Sequence, residues 1–225
     1  MTDFSEYNLF PTKILKCKVD PLLYKKENIV KEVLENYKKD KNRNNWDKKS
    51  QLHHYLNDWE NTNFNKLNLN SLSLVYGKII SDHINKITFN SKITYEYSIE
   101  NISVNTRFMK EHDHFGSLSG IGKNTTMFGC IHYIKFDKSK HTKTTFINPL
   151  HFAYYNSFLE FIQSKLDHTD TNNSNYFSYW EFDVEEDDFF IFPSYLKHIV
   201  YDNYLELEEN NPRIISSVNI RITDY

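Results

Sequence analysis

The hydrophobic period of the chain changes near residue 91, and that change bounds what it can fold into. Before it, Ile29, Val30, Val33, Leu34 and Tyr37 recur at helical spacing and predict an amphipathic helix over 25–39. Leu72, Val75, Tyr76, Ile79, Ile80 and Ile84 predict a longer helix over 71–87. Leu52, Tyr55, Leu56 and Trp59 predict a short helix between them with Ser50 as N-cap, preceded by a polar loop over 40–49. After it, residues alternate and are rich in β-branched and aromatic types. Strands are predicted over 94–108, 126–136, 143–148, 177–184, 189–192, 198–202 and 213–222, with a helix over 150–166 and an opening strand over 8–20. Helices followed by a run of antiparallel strands indicate α+β, or a β-sandwich with a helical side layer. Without an internal repeat or a Pro/Gly-rich linker, residues 1–225 read as one domain, 1–90 giving a strand and helical support and 91–225 the β core.

Composition excludes several classes. A net charge of −3 provides no electrostatic footprint for nonspecific nucleic-acid binding. No apolar run is long enough to span a bilayer, and the first residues have neither the basic nor the apolar part of a signal peptide, so a cytoplasmic location is expected (the host's, for a viral chain). Cys17 and Cys130 match no zinc spacing and read as reduced thiols. The run Glu185-Glu-Asp-Asp188 reads as a solvated acidic turn.

Two stretches carry chemistry. In Lys110-Glu-His-Asp-His-Phe-Gly-Ser117, an extended backbone turns His112 and His114 to the same side. His198, at the end of Phe192-Pro-Ser-Tyr-Leu-Lys-His198, is positioned to supply a third ligand from another strand. Two ligands close in sequence and one distant make a facial metal site with open positions. The other seven histidines have no ligand spacing. The final strand separates Arg213, Ile215, Ser217, Asn219 and Arg221 from Ile214, Ser216, Val218, Ile220 and Ile222; the second set is apolar enough for a core, and the first suits a solvent-filled barrel mouth or a solvated surface equally. A simple hairpin would put His198 and Arg213 at opposite ends, unless the strands are offset or separated by another. If Arg213 does face the metal, its fork-shaped guanidinium suits the far carboxylate of a dicarboxylic 2-oxo acid.

His112-x-His114, the block Phe192-Pro-Ser-Tyr-Leu-Lys-His198-x-Val200, and Arg213-Ile-x-x-Ser217-x-Asn219 together resemble the 2-oxoglutarate- and iron(II)-dependent oxygenases, and most closely a small group found in bacteria and marine phages. Asn8-Leu-Phe-Pro-Thr-Lys-Ile14 and Trp46-Asp-Lys-Lys-Ser50 resemble that group's amino-terminal landmarks, so the resemblance covers nearly the whole chain. It implies a double-stranded β-helix (jelly roll) with amino-terminal helices packed on one sheet. It implies iron(II) on His112, His114 and His198, with 2-oxoglutarate and O2 as cosubstrates. It implies cosubstrate contacts from Arg213, helped by Ser217, Asn219 and Tyr133 of the tyrosine-bearing strand.

The chain departs from the family in several places. Its second ligand is ordinarily a carboxylate in a His-x-Asp pair; here His114 is expected to ligate, with the intervening Asp113 as the alternative. Ile215 stands where Arg-x-Ser has its serine, and Asp187 stands at the usual turn glycine before the Phe-Pro-Ser strand. The glycine-bearing loop 116–124 is a lid candidate or a plain surface insertion. Hydroxylation of a peptidyl substrate, prolyl first, is expected by analogy with small phage and bacterial relatives. Two other classes stay open: a cupin-type metal enzyme without 2-oxoglutarate, and a non-catalytic jelly-roll binding or virion module.

Overall fold

The computed structural model describes residues 12–39, 51–56, 66–90, 92–115, 126–150, 165–167, 169–170, 173, 177–201 and 211–223. The expected helix over 150–166, the loop 116–124, the polar loop 40–49, and the landmarks at 8–14 and 46–50 lie wholly or mainly outside them.

The two long helices form where the spacing places them. α1 (Lys26–Lys39) buries Ile29, Val33 and Tyr37, four residues apart, and complements its dipole with Glu27 in the first turn and Lys38 and Lys39 in the last. α2 (Asn70–Ile84) buries Leu72, Tyr76, Ile80 and Ile84 on one stripe. Gly77 lets β3 (Tyr95–His112) approach α2 closely: a Cβ there would lie 2.5 Å from the Tyr97 hydroxyl, which donates to the Ser73 carbonyl.

The segment expected as a short helix around 50–59 is instead strand β2 (Gln51–Leu56), paired antiparallel with β3 from Ile102 to Phe108. Six residues do not fix a period, since Leu52 and Leu56 fit a helical and an alternating template alike. A long neighbouring strand with open backbone donors and acceptors decides between them.

The remaining strands are β1 (Leu15–Lys18), β4 (Thr126–Lys135), β5 (Thr145–Ile147), β6 (Tyr179–Glu181), β7 (Asp188–Pro193), β8 (His198–Val200) and β9 (Ile214–Ile222). All pairings are antiparallel. One sheet runs β1-β7-β4-β9-β3, a smaller one runs β3-β8-β5-β6, and the 18-residue β3 belongs to both. This is the expected jelly roll with a helical flank. It also resolves the placement of His198 and Arg213, because β3 lies between β8 and β9 and the two are not hairpin partners.

The strands of the larger sheet sort their side chains into two cores. Cys130, Ile134, Phe189, Ile191, Ile214, Val218 and Ile220 face the helices. Ile131, Tyr133, Phe190, Phe192 and Ile215 face the other way, where they meet Phe146 and Leu196. Strict alternation along β4, β7 and β9 produces this split.

The acidic turn departs from the solvated expectation. Asp187 and Asp188 are buried. The Lys26 ammonium meets Asp187 at 2.8 Å and Glu186 at 2.6 Å, the Tyr24 hydroxyl donates to Asp187, and Lys16 meets Asp188 at 2.9 Å. Asp187 sits at φ 68°, the left-handed conformation that ordinarily calls for glycine. Its carboxylate there ties the start of α1 to the turn that opens β7.

Candidate metal and cosubstrate site

Three elements bring His112, His114 and His198 together. His112 ends β3, His114 lies two residues on, and His198 opens β8 directly opposite His112. One ligand nitrogen from each lies within 4.8 Å of the others. The ring centroids are 4.1 Å apart for His112 and His198, 5.1 Å for His114 and His198, and 5.8 Å for His112 and His114. The His114 backbone N–H donates to the Ser194 carbonyl at 2.8 Å, joining the His-x-His stretch to the Phe-Pro-Ser block. Asp113 is exposed and outside the cluster; its carboxylate accepts the Phe115 backbone N–H.

The hydrogen bonds around the rings decide which nitrogen carries the lone pair. His112 Nδ1 is 2.9 Å from the Lys110 carbonyl, and His198 Nδ1 is 3.1 Å from the Leu196 carbonyl. A carbonyl only accepts, so both rings carry their proton on Nδ1 and their lone pair on Nε2. His114 Nδ1 is 2.6 Å from Asn219 Oδ1, which assigns the same tautomer. Burial also keeps the rings neutral: it pushes His112 down to about 4, lowers His114, and puts His198 well below its ordinary value, in the last case with help from the two neighbouring imidazoles.

This donor set fits a borderline divalent metal such as iron(II): three neutral imidazoles, each oriented by an acceptor on its second nitrogen. Phe192 packs edge-on to both His114 and His198, and Phe146 lies 5.8 Å from His198, giving the cluster an apolar wall.

Arg213 lies just before β9 and is 4% exposed. Its guanidinium stands 5.7 Å from the ring of Tyr133, which is also buried and accepts the Thr144 backbone N–H on its hydroxyl. Burial lowers the arginine and raises the tyrosine, and each partner's interaction with the other opposes the shift. Along β9, Ile215, Ser217 and Asn219 share the site-facing side, with Asn219 at the histidine end and Arg213 at the far end. Ser217 is partly buried between Ile131 of β4 and Asn101 of β3.

Asn219, expected among the cosubstrate contacts, is placed against His114. Gly129 was not singled out in the sequence, yet it leaves the space in which His114 and Phe192 meet. An isolated glycine inside a strand is the signal that points to such a close approach.

No family model matches the chain, and no curated protein matches it. Solved structures do. The non-heme α-ketoglutarate-dependent carbocyclase SnoK from nogalamycin biosynthesis superposes with a TM-score of 0.57 at 13% identity, covering 93% of this chain and 79% of the other. A Trichoplax adhaerens prolyl hydroxylase, in complex with a hypoxia inducible factor peptide, has a TM-score of 0.51 at 13% identity over 92% and 83% of the two chains. A Pseudomonas putida prolyl-4-hydroxylase has a TM-score of 0.50 at 9% identity over 92% and 91%. The likeness in fold is to a non-heme α-ketoglutarate-dependent carbocyclase and to two prolyl hydroxylases. In the described residues no helix is long and apolar enough to cross a membrane.

Proposed function

We propose that the chain is an iron(II)- and 2-oxoglutarate-dependent dioxygenase. The observation that carries this is the convergence of His112, His114 and His198 on the interior side of the sheet that also bears buried Arg213. His112, His114 and His198 would hold the metal through Nε2. Bound there, iron(II) supplies the redox chemistry that couples oxidative decarboxylation of a 2-oxo acid to oxidation of a second substrate by O2.

The chain's own residues do the rest. The Lys110 and Leu196 carbonyls and Asn219 keep protons on the three Nδ1 atoms and so aim the ligating nitrogens. Arg213, beside Tyr133, provides the charge that orients the distal carboxylate of the 2-oxo acid, with Ser217 on the same side of β9. Phe146, Phe192, Ile131 and Leu196 exclude water from the centre.

Hydroxylation of a peptidyl substrate, prolyl first, is the reaction we assign. Two of the solved structures of similar fold are prolyl hydroxylases, which supports it. The neutral donor set favours one rival, a cupin-type metal enzyme that needs no 2-oxoglutarate. The test is aerobic turnover with iron(II), ascorbate and 2-oxoglutarate, scoring succinate, and scoring proline-containing peptides for the mass gain of one oxygen atom. Succinate that disappears in Arg213→Ala and His198→Ala is the expected result. Metal-dependent oxidation without succinate, indifferent to Arg213→Ala, would establish the rival.

A further inference from the structure

We infer that position 114 is built for an imidazole, with Asn219, Gly129 and Phe192 as the positioning residues that hold His114 with its Nε2 toward the metal. This rests on the oxygenase reading of the site, and specifies which ligand set that site has.

The three residues form one row across three neighbouring strands. Gly129 of β4 is paired with Phe192 of β7 on one side and with Asn219 of β9 on the other. Residues in register across adjacent strands present to the same face. The His114 ring lies over this row. Its Nδ1 meets Asn219 Oδ1 at 2.6 Å, and its ring stands edge-on to Phe192 at 5.6 Å and 83°. The middle of the row is open because residue 129 has no side chain. A Cβ there would lie 3.1 Å from His114 Cγ and 2.8 Å from Phe192 Cε2. The His114 backbone is fixed separately, through its N–H to the Ser194 carbonyl.

The parts of this socket together suit a flat ring with a nitrogen at each end. The glycine leaves room for a flat ring, the phenyl ring packs perpendicular to it, and the amide oxygen accepts from Nδ1. An aspartate at 114 is shorter, so its oxygens stop short of the place where Nε2 ends. The carboxylate that is ordinary at this position in the oxygenases would therefore serve poorly here.

The test uses the full chain. In metal-free, 15N-labelled protein, long-range 1H–15N correlation reads the His114 tautomer directly; the expected proton is on Nδ1. Cobalt(II), whose visible bands report its ligands, is then titrated into the wild type, Asn219→Leu, Asn219→Asp and His114→Asp, with circular dichroism confirming that each variant is folded. Asn219→Leu should weaken cobalt binding by about 10–100-fold, the usual effect of losing a residue that orients a ligand. Asn219→Asp, which can accept the same proton, should stay within a few-fold of wild type; a purely structural role for Asn219 would not separate the two variants in this way. His114→Asp should lose at least as much as Asn219→Leu. Cobalt binding by His114→Asp as tight as wild type, or a His114 proton found on Nε2, would overturn the inference while leaving the oxygenase reading standing. Failure of the wild type itself to bind cobalt(II) or iron(II) would overturn that reading, and the inference with it.

Discussion

The two faces of the larger sheet both bury histidine, and they use it in opposite ways. On the helix-facing side His132 is fully buried, its Nδ1 2.7 Å from the Tyr76 hydroxyl and its ring against Tyr24, Tyr76 and Phe189. Its Nε2 meets no partner among the described residues. On the interior side His112, His114 and His198 have neighbours that take up Nδ1 and turn Nε2 toward a shared point. Burial lowers the proton affinity of all four: His132 is pushed down to about 3 and His112 to about 4. Burial and a shifted pKa therefore do not separate the two groups. Convergence, together with an acceptor at each second nitrogen, does.

The comparison breaks most readily at His198. His198→Ala removes one of the three proposed ligands and should lower metal affinity more than about 100-fold, beyond the range expected for loss of an orienting neighbour, with thermal unfolding little changed. If His198→Ala unfolded the chain, the interior histidines would be structural in the way His132 is.

The next largest effect belongs to the acidic turn. Asp187→Ala removes one of the two carboxylates on Lys26 and the acceptor of the Tyr24 hydroxyl, and should destabilise by about 2 kcal/mol in urea unfolding. Asp187→Gly loses the same contacts but relieves the left-handed backbone, and should recover about 1 kcal/mol of that loss. Metal affinity should be the same in both variants.

Acid stability sharpens the contrast from the helix side. The folded pKa of His132 lies below its ordinary unfolded value, so between about pH 6.5 and 3 the unfolded chain binds a proton that the folded chain does not. Stability from this group is complete above pH 6.5 and is lost as pH falls, by about 1.4 kcal/mol per unit. The interior histidines act with the same sign, so the informative measurement is the difference between wild type and His132→Gln in urea unfolding at pH 7 and pH 5. A shallower acid slope in the variant is expected; identical slopes would show that His132 is not held neutral by its surroundings.

The smallest effect is at Tyr76. Tyr76→Phe leaves His132 Nδ1 without its partner and should cost about 1–2 kcal/mol of stability. Metal affinity should not move, and a drop in it would mean that the two faces are coupled.

Much of this arrangement was legible in the sequence where a local pattern dictated it. The change of period near residue 91, the alternation of Arg213–Ile222 and the spacing of His112 and His114 each follow from side-chain direction on a regular backbone. What escaped depends on distant partners. The four acids 185–188 read as a solvated turn because Lys16, Tyr24 and Lys26, which bury two of them, lie more than 150 residues earlier. β2 read as a helix because its state is set by the edge of β3. The separation of β8 from β9 by β3 is topological and has no local signature. Asn219 read as polar and, through the resemblance, as a cosubstrate contact, but its partner, the second nitrogen of His114, lies 105 positions away in the sequence.

The central claim is that the histidine cluster and Arg213 serve one ligand. Its most direct test is anaerobic titration of iron(II)-loaded protein with 2-oxoglutarate, following the weak visible charge-transfer absorption of the chelated cosubstrate. The account predicts an absorption that appears in the wild type, vanishes in His198→Ala, and in Arg213→Ala needs far more 2-oxoglutarate to develop. Stoichiometric iron binding with no such absorption, or one indifferent to Arg213→Ala, would contradict it.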